Sequence, residues 1–106
     1  MKEIVEILRK FNQERDWNKF HDSKNLALAI SIEASELNEL FLWKSDQDAN
    51  VDQVAEELAD VFLCAFMMAD KYNLDVKKIC LNKIARNAEK YPVEKSKGNA
   101  KKYNEL

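Results

Sequence analysis

The stretch VDQVAEELADVFLCAFMMADKY, residues 51–72, decides the fold. It contains neither glycine nor proline, and the chain of 106 residues has only one of each. Because sheet proteins and disordered chains are rich in turn residues, this composition favours helices, and the stretch predicts one long helix. Its second half, VFLCAFMMA, is apolar on nearly every side, which a peripheral helix of a small monomer cannot satisfy. We therefore expect a second copy of the chain to cover it.

Three other segments have apolar residues at helical spacing. Together with the long helix, they predict an all-α fold, a four-helix bundle completed by oligomerisation. The bundle is expected to form a single domain over residues 1–106 and to assemble as a homo-oligomer, either a dimer or a dimer of dimers. These segments are residues 2–15, residues 23–44, and residues 75–91, which end before Pro92; the part from about residue 93 is predicted to be a polar, lysine-rich tail.

The overall charge and hydropathy narrow the class of protein. A formal net charge of −2 provides no broad basic surface for nucleic acid, so we predict no nucleic-acid partner. The longest apolar run, residues 61–69, is far shorter than the roughly 20 residues that span a bilayer, so we predict no membrane partner. Cys64 and Cys80 lack CxxC spacing and are expected to be reduced and buried. The N-terminus lacks the features of a signal peptide, so a cytoplasmic location is predicted.

Two pairs of acidic residues stand out on consecutive predicted helices. Glu33 and Glu36 are three residues apart, as are Glu57 and Asp60, so each pair lies on one face of its helix. Glu33 falls within an apolar stripe, and Asp60 stands mid-helix in LADVFLC, where burial is expected. Four carboxylates drawn together repel one another unless protons or a multivalent cation neutralise them. All-oxygen ligands favour a hard ion, so we predict Mg²⁺, with Mn²⁺ as the alternative.

Other interpretations of these acids remain open. Carboxylate-bridged iron sites in helix bundles use Glu-x-x-His motifs, and the chain has none, because its single histidine, His21, lies in the connector. The alternative is that the acids belong to solvated helix faces, as most glutamates do in a chain with 34% charged residues. We expect Glu56 to lie on the surface. Glu39 is expected at most to support the four acidic residues from behind, without binding the metal itself.

Beyond the two acidic pairs, the sequence resembles the MazG-like superfamily of all-α nucleoside triphosphate pyrophosphohydrolases. The similarity runs through FNQERDWNKFHDSKNLALAISIEASELNELFLWK, EELADVF and NAEKYPVEKSKGNAKKYNEL, in the order and spacing of the dCTP pyrophosphatase branch. The resemblance implies hydrolysis of a nucleoside triphosphate, with dCTP-like substrates foremost, to the monophosphate and pyrophosphate. It assigns metal binding and catalysis to Glu33, Glu36, Glu57 and Asp60. Spacing does not distinguish which carboxylate acts as the base.

Two tryptophans are candidates for binding the base. Trp17 lies in the connector of residues 16–25 and Trp43 at the end of the second predicted helix, and we expect both rings near one end of the bundle if the connector folds back. Stacking of a base on aromatic rings contributes roughly 1 to 3 kcal/mol per base. The resemblance assigns the base sandwich to Trp17 and Trp43, and a nearby ligand contact to His21. The alternative is that both tryptophans are ordinary core anchors.

A polar line on the last predicted helix is a second candidate surface. Lys83, Asn87 and Tyr91 recur every four residues beside an apolar stripe, so they share one side of the helix. The resemblance places them at nucleotide-contacting positions, and Lys44 is expected to add a phosphate contact. A solvated face remains the plain alternative for Lys83.

One position departs from the family pattern. Cys64, one turn after Asp60, takes the place of a tyrosine that the resemblance associates with this position. Its absence leaves open how strictly the chain prefers cytosine or excludes ribonucleotides, and several dNTPs are expected as substrates. Two other functions stay open: a catalytically silent helical module for nucleotide binding or metal-dependent oligomerisation, and a related pyrophosphohydrolase for another nucleotide such as phosphoribosyl-ATP.

Overall fold

The computed structural model describes all residues, 1–106, and every regular element in it is a helix. The predicted all-α class is therefore confirmed. No helix is both long and apolar enough to cross a membrane. The helices are α1 (Lys2–Glu14), α2 (Ser23–Glu39), α3 (Val51–Lys71), α4 (Val76–Lys90) and the short α5 (Val93–Ser96), with single 3₁₀ turns at Asn18–Phe20, Asp46–Asp48 and Tyr103–Glu105.

Side-chain caps fix where the three central helices begin. Asp22 Oδ1 accepts the backbone N–H of Asn25 at 2.7 Å at the start of α2. Asn50 does the same for the first turn of α3, and Asp75 for that of α4. These caps satisfy backbone donors that have no partner within the helix, each contributing about 1 kcal/mol. The starts of α2, α3 and α4 thus lie within a residue of the predicted positions.

The chain forms two compact units, Met1–Asn73 and Leu74–Leu106. In the first unit, α3 packs against α2 and, less extensively, against α1. Its fully buried apolar side chains are Leu26 of α2 and Ala69 of α3. Since Leu26 near the start of α2 lies beside the end of α3, the two helices run antiparallel.

The ends of two segments differ from prediction. The second helix ends at Glu39 instead of 44, because residues 40–43 form tight turns in which Trp43 adopts a left-handed backbone with φ of 61°. The polar tail also contains more structure than expected, since α5 and a 3₁₀ turn lie within it. There the Tyr103 ring meets Tyr91 edge-on, with ring centroids 6.3 Å apart.

Much apolar surface stays exposed on the single chain. On α1, the inward side chains are Val5, Leu8 and Asn12, while Ile7 on the opposite side is exposed. Phe62 on α3 is half-exposed. The apolar stripe predicted for α4 is also uncovered, including Ile79, Ile84 and Cys80, the last of which was expected to be buried. Covering of the apolar surface of α3 by a second copy stays a prediction.

Candidate functional site: an acidic cluster and an adjoining cavity

Three of the four predicted carboxylates converge between α2 and α3. One carboxylate oxygen each from Glu33, Glu36 and Glu57 lies within 4.8 Å of the other two. Glu33 and Glu36 are one turn apart on α2, and the antiparallel α3 brings Glu57 opposite them. The spacing of the acidic residues in the sequence thus becomes a single cluster in three dimensions.

The cluster holds negative charge in a poorly solvated place. Partial burial raises the pKa of Glu33 and of Glu57, and the neighbouring carboxylates of Glu36 and Asp60 raise both further. One oxygen of each, Oε2 of Glu33 and Oε2 of Glu57, is buried without a hydrogen-bond donor. Buried acceptors without donors are costly, so these oxygens suit a bound cation or a proton.

The donor set fits a hard divalent cation. Glu33, Glu36 and Glu57 would supply only carboxylate oxygens, and the orphaned oxygens of Glu33 and Glu57 would gain a partner. Asp60 is close enough for its charge to raise the pKa of both Glu33 and Glu57, but its side chain is exposed. The expected burial of Asp60 is therefore wrong for the single chain, because α2 covers only one side of this part of α3.

Cys64 lies next to the cluster. Burial, followed by the charges of Glu33 and Asp60, raises the pKa of its thiol, so the group stays protonated at neutral pH. Cys64 follows Asp60 by four residues on the same face of α3. A neutral, partly buried thiol therefore borders the acidic cluster.

A cavity of about 270 Å³ lies beside α2 and α3, farther along these helices from the acidic cluster. Its apolar wall includes Leu26 of α2 and Met67 of α3. Leu26 precedes Glu33 by seven residues and Met67 follows Asp60 by seven, which is nearly two helical turns and about 10 Å. Cluster and cavity thus lie on the same helix faces. The polar lining consists of Arg9, Asn12, Asn18, His21, Asp70 and Lys71.

The connector before α2 holds His21 against the cavity. The Lys71 ammonium donates to the backbone carbonyl of His21 at 3.1 Å, and the backbone N–H of His21 donates to the carbonyl of Asn18. Nδ1 of the His21 ring is buried without a partner. The predicted ligand-contacting histidine therefore lines a cavity with one ring nitrogen unpaired.

The two tryptophans are not brought together within one chain. Trp17 precedes α2 and Trp43 follows it, so they flank opposite ends of a helix of 17 residues, about 25 Å long. Trp17 packs edge-on against Phe11, with ring centroids 5.6 Å apart, whereas Trp43 is fully exposed. The expectation that both rings lie near one end of the bundle is wrong for the isolated chain, since the whole length of α2 separates them.

The remaining predicted contacts lie on exposed positions. Lys44 is in the turn after α2, and its backbone N–H donates to the carbonyl of Phe41. Lys83, Asn87 and Tyr91 lie on or just after α4, in the second unit, at the predicted four-residue spacing. Their roles toward a nucleotide stay predictions.

Sequence reasoning missed the polar groups that α1 contributes to the cavity. Only 5% of the surface of Asn12 is exposed. Arg9 forms a bidentate ion pair with Asp70. A signal for Asn12 was available: with Val5 and Leu8 it follows an i, i+3, i+7 pattern. A polar residue on a buried stripe is the same signal that selected Glu33.

Comparisons with known proteins show the family of the chain. The model of the MazG-like family matches residues 28–106. The dCTP pyrophosphatase 1 of Rattus norvegicus is 35% identical over 114 aligned positions, which cover 100% of this chain and 67% of the relative, and that of Homo sapiens is 32% identical over the same shares. A crystal structure of a pyrophosphatase from Archaeoglobus fulgidus DSM 4304 superposes with a TM-score of 0.81 at 36% identity, covering 87% of this chain and 92% of the other. The resemblance noted in the sequence is confirmed, and the chain belongs to the MazG-like family.

Proposed function

We propose that this chain is a nucleoside triphosphate pyrophosphohydrolase that converts dCTP-like deoxynucleotides to the monophosphate and pyrophosphate. The observation that carries the proposal is the convergence of Glu33, Glu36 and Glu57 with two buried oxygens that lack donors. A triphosphate brings several negative charges, which such a cluster tolerates only with cations between them. The dCTP pyrophosphatase relatives favour the deoxycytidine substrate.

Mg²⁺ is the proposed metal, held by Glu33, Glu36, Glu57 and Asp60. When bound, it would neutralise the triphosphate and lower the pKa of a bound water. Carboxylate-only donors favour Mg²⁺ or Mn²⁺ over zinc and iron, which prefer nitrogen or sulfur ligands. Asp60 joins this set because its exposed carboxylate lies close enough to the cluster for its charge to raise the pKa of Glu33.

The groove between α2 and α3 is proposed to hold the nucleotide. With the phosphates at the acidic cluster, the base reaches the cavity about 10 Å away and the sugar lies beside Cys64. His21 is proposed to contact the base, because it lines the wall of that cavity. Lys44, Lys83, Asn87 and Tyr91 are proposed as further nucleotide contacts, following the family pattern.

The proposed reaction is a single displacement at the α-phosphorus. The water oxygen forms a bond to this phosphorus, and the bond to the bridging oxygen of the β-phosphate breaks, which releases pyrophosphate. A carboxylate of the cluster accepts the proton of the water. No covalent intermediate is needed, because positioning and charge neutralisation carry most of the catalysis in phosphoryl transfer.

A product assay tests the proposal. Purified protein with MgCl₂ is incubated with dCTP, dTTP, dATP, dGTP and CTP, and the products are separated by ion-exchange chromatography. The expected result is dCMP and pyrophosphate in equal amounts, with activity lost in EDTA and restored by Mg²⁺ or Mn²⁺. Release of orthophosphate, or binding of dCTP without any turnover, would contradict it and favour a silent nucleotide-binding module.

We propose that the working form is a cytoplasmic homo-oligomer of single-domain chains, in which a second copy covers the apolar surface of α3. Phe62 is half-exposed and stacks on Phe66, with ring centroids 6.0 Å apart, and Phe66 lines the cavity. A second copy seated on Phe62 would therefore also support the cavity wall. Burial of an aromatic side chain of this kind contributes roughly 1.5–3 kcal/mol.

Phe62→Glu is expected to shift the protein to monomers and to reduce turnover of dCTP at least about tenfold, because a charge cannot be buried in an apolar interface without loss of several kcal/mol. Light scattering coupled to size exclusion measures the mass. Gln53→Glu is the matched control, since it adds the same charge on the exposed first turn of α3. A monomeric wild-type protein with full activity would overturn the role of the oligomer.

A further inference from the structure

Asn12 holds a carboxamide inside the cavity without a strong partner. Its side chain is 95% buried, and its Nδ2 donates to the thioether sulfur of Met67 at 3.1 Å. A thioether sulfur is only a weak acceptor. The Oδ1 atom accepts no hydrogen bond from the chain, and it keeps a little accessible surface. A buried amide left in this state suits a ligand that completes its hydrogen bonds.

The neighbours of Asn12 fix its orientation. The Met67 sulfur can only accept, so the NH₂ group must face it and Oδ1 lies on the other side of the amide, on a residue that lines the cavity. The backbone is held as well, because the carbonyl of Asn12 accepts the N–H of Trp17 at 3.0 Å where α1 ends. The side chain therefore presents one acceptor, Oδ1, and one remaining donor, the second N–H of Nδ2, in a fixed arrangement.

We infer that Asn12, oriented by Met67, makes the enzyme specific for cytosine over thymine and uracil. This inference rests on the proposed function and identifies the residues that choose its base. The edge of cytosine carries the N4 amino donor beside the N3 acceptor, which complements Oδ1 and the free N–H of Nδ2. Thymine and uracil carry an O4 acceptor beside an N3–H donor and would require the amide to turn over.

Turning the amide over has a defined consequence. Oδ1 would then face the Met67 sulfur, so two acceptors would meet and the existing hydrogen bond would be lost. Adenine presents the same donor and acceptor as cytosine on its Watson–Crick edge, so the amide separates amino-bearing from oxo-bearing bases. Discrimination between pyrimidine and purine bases then depends on the size of the cavity.

Two substitutions separate this role from a merely structural one. Asn12→Leu keeps the branched shape of the side chain but removes both polar atoms, and it is expected to lower the ratio of kcat/KM for dCTP to that for dTTP by about ten- to a hundredfold. Met67→Leu preserves volume and removes only the sulfur, which frees the amide to turn. Because the freed amide can then match either pattern of donor and acceptor, this variant is also expected to lower the ratio of kcat/KM for dCTP to that for dTTP and to that for dUTP, by about fivefold.

The experiment combines kinetics with binding that needs no catalysis. kcat/KM is measured for dCTP, dTTP and dUTP, and isothermal titration measures binding of the products dCMP and dTMP. Gln13→Leu is the matched control, because it makes the same kind of change at the exposed neighbouring position. Thermal melting confirms that each variant is folded, and if Asn12→Leu does not fold, Met67→Leu alone decides.

The outcomes distinguish the two levels of the proposal. If wild-type protein turns over no nucleotide, the proposed function fails, yet the preference for dCMP over dTMP in binding still tests Asn12. If the ratio of kcat/KM for dCTP to that for dTTP is unchanged in Asn12→Leu, or in Met67→Leu, the inference is overturned. The proposed pyrophosphohydrolase function is not affected by that result. A lowered ratio in both variants, with Gln13→Leu like wild type, supports it.

Discussion

Replacing Glu33 by glutamine is expected to lower kcat for dCTP by on the order of a thousandfold, because a metal ligand contributes several kcal/mol to stabilising the transition state. The amide keeps the shape of the side chain but supplies a neutral, weaker ligand. Glu57→Gln should behave in the same way, since Glu57 occupies the equivalent place on α3. Stopped assays at saturating Mg²⁺ and dCTP measure kcat.

In the absence of metal, Glu33→Gln is expected to stabilise the folded protein, although it lowers activity. The pKa of Glu33 is raised in the folded chain, so the folded state binds more protons than the unfolded state above the ordinary glutamate range. Stability therefore falls as pH rises through that range and stays reduced at neutral pH. Removing the charge of Glu33 abolishes this loss of stability. At pH 7, metal-free Glu33→Gln is therefore expected to have a higher melting temperature than the metal-free wild type.

Magnesium then reverses the order of the two proteins. Binding to the folded state raises the melting temperature of the wild type but not that of Glu33→Gln. Glu14→Gln, at the exposed end of α1, is the control and should resemble the wild type in activity and in its response to metal. Equal stabilisation of wild type and Glu33→Gln by Mg²⁺ would show that Glu33 is not a ligand.

Features set by one helix or one pair of helices were predictable from the sequence. Helix starts follow from local caps such as Asp22, and the acidic cluster follows from spacing, because residues three apart share a face whatever the tertiary fold. Glu33 was informative since it interrupts an apolar stripe. Asn12 interrupts one too, but amides are common on helix surfaces, and only the packing of α1 on α3 distinguishes it.

Features that depend on which surfaces meet were not predictable in the same way. Asp60 and Cys80 sit in apolar surroundings in the sequence, yet both are exposed, because local apolarity does not say which side of a helix has a neighbour. The placement of Trp43 depends on residues 40–43, whose turns end α2 early. A helical pattern carries no signal for a left-handed backbone at a tryptophan.

That left-handed backbone leads to the second large expected effect. A bulky residue with a φ of 61° is strained by roughly 1 kcal/mol or more, and Trp43 gains no contact within the chain in return. Strain and full exposure of a large aromatic ring are retained most readily where the ring binds something. We expect that partner to be the base of a nucleotide held by a second copy of the chain.

Trp43→Ala is therefore expected to raise KM for dCTP about ten- to a hundredfold, the loss of one stacking contact, with little change in melting temperature. Trp43→Phe, which keeps a flat ring, should recover most of the affinity. Trp17→Ala should differ by also lowering stability, because Trp17 packs on Phe11. Leu42→Ala, at the exposed neighbouring position, is the control for local disruption of the turn. If Trp43→Ala binds and hydrolyses dCTP as the wild type does, the sandwich is wrong. Because the ring touches nothing in its own chain, an increased KM in a stable protein would place it against the substrate.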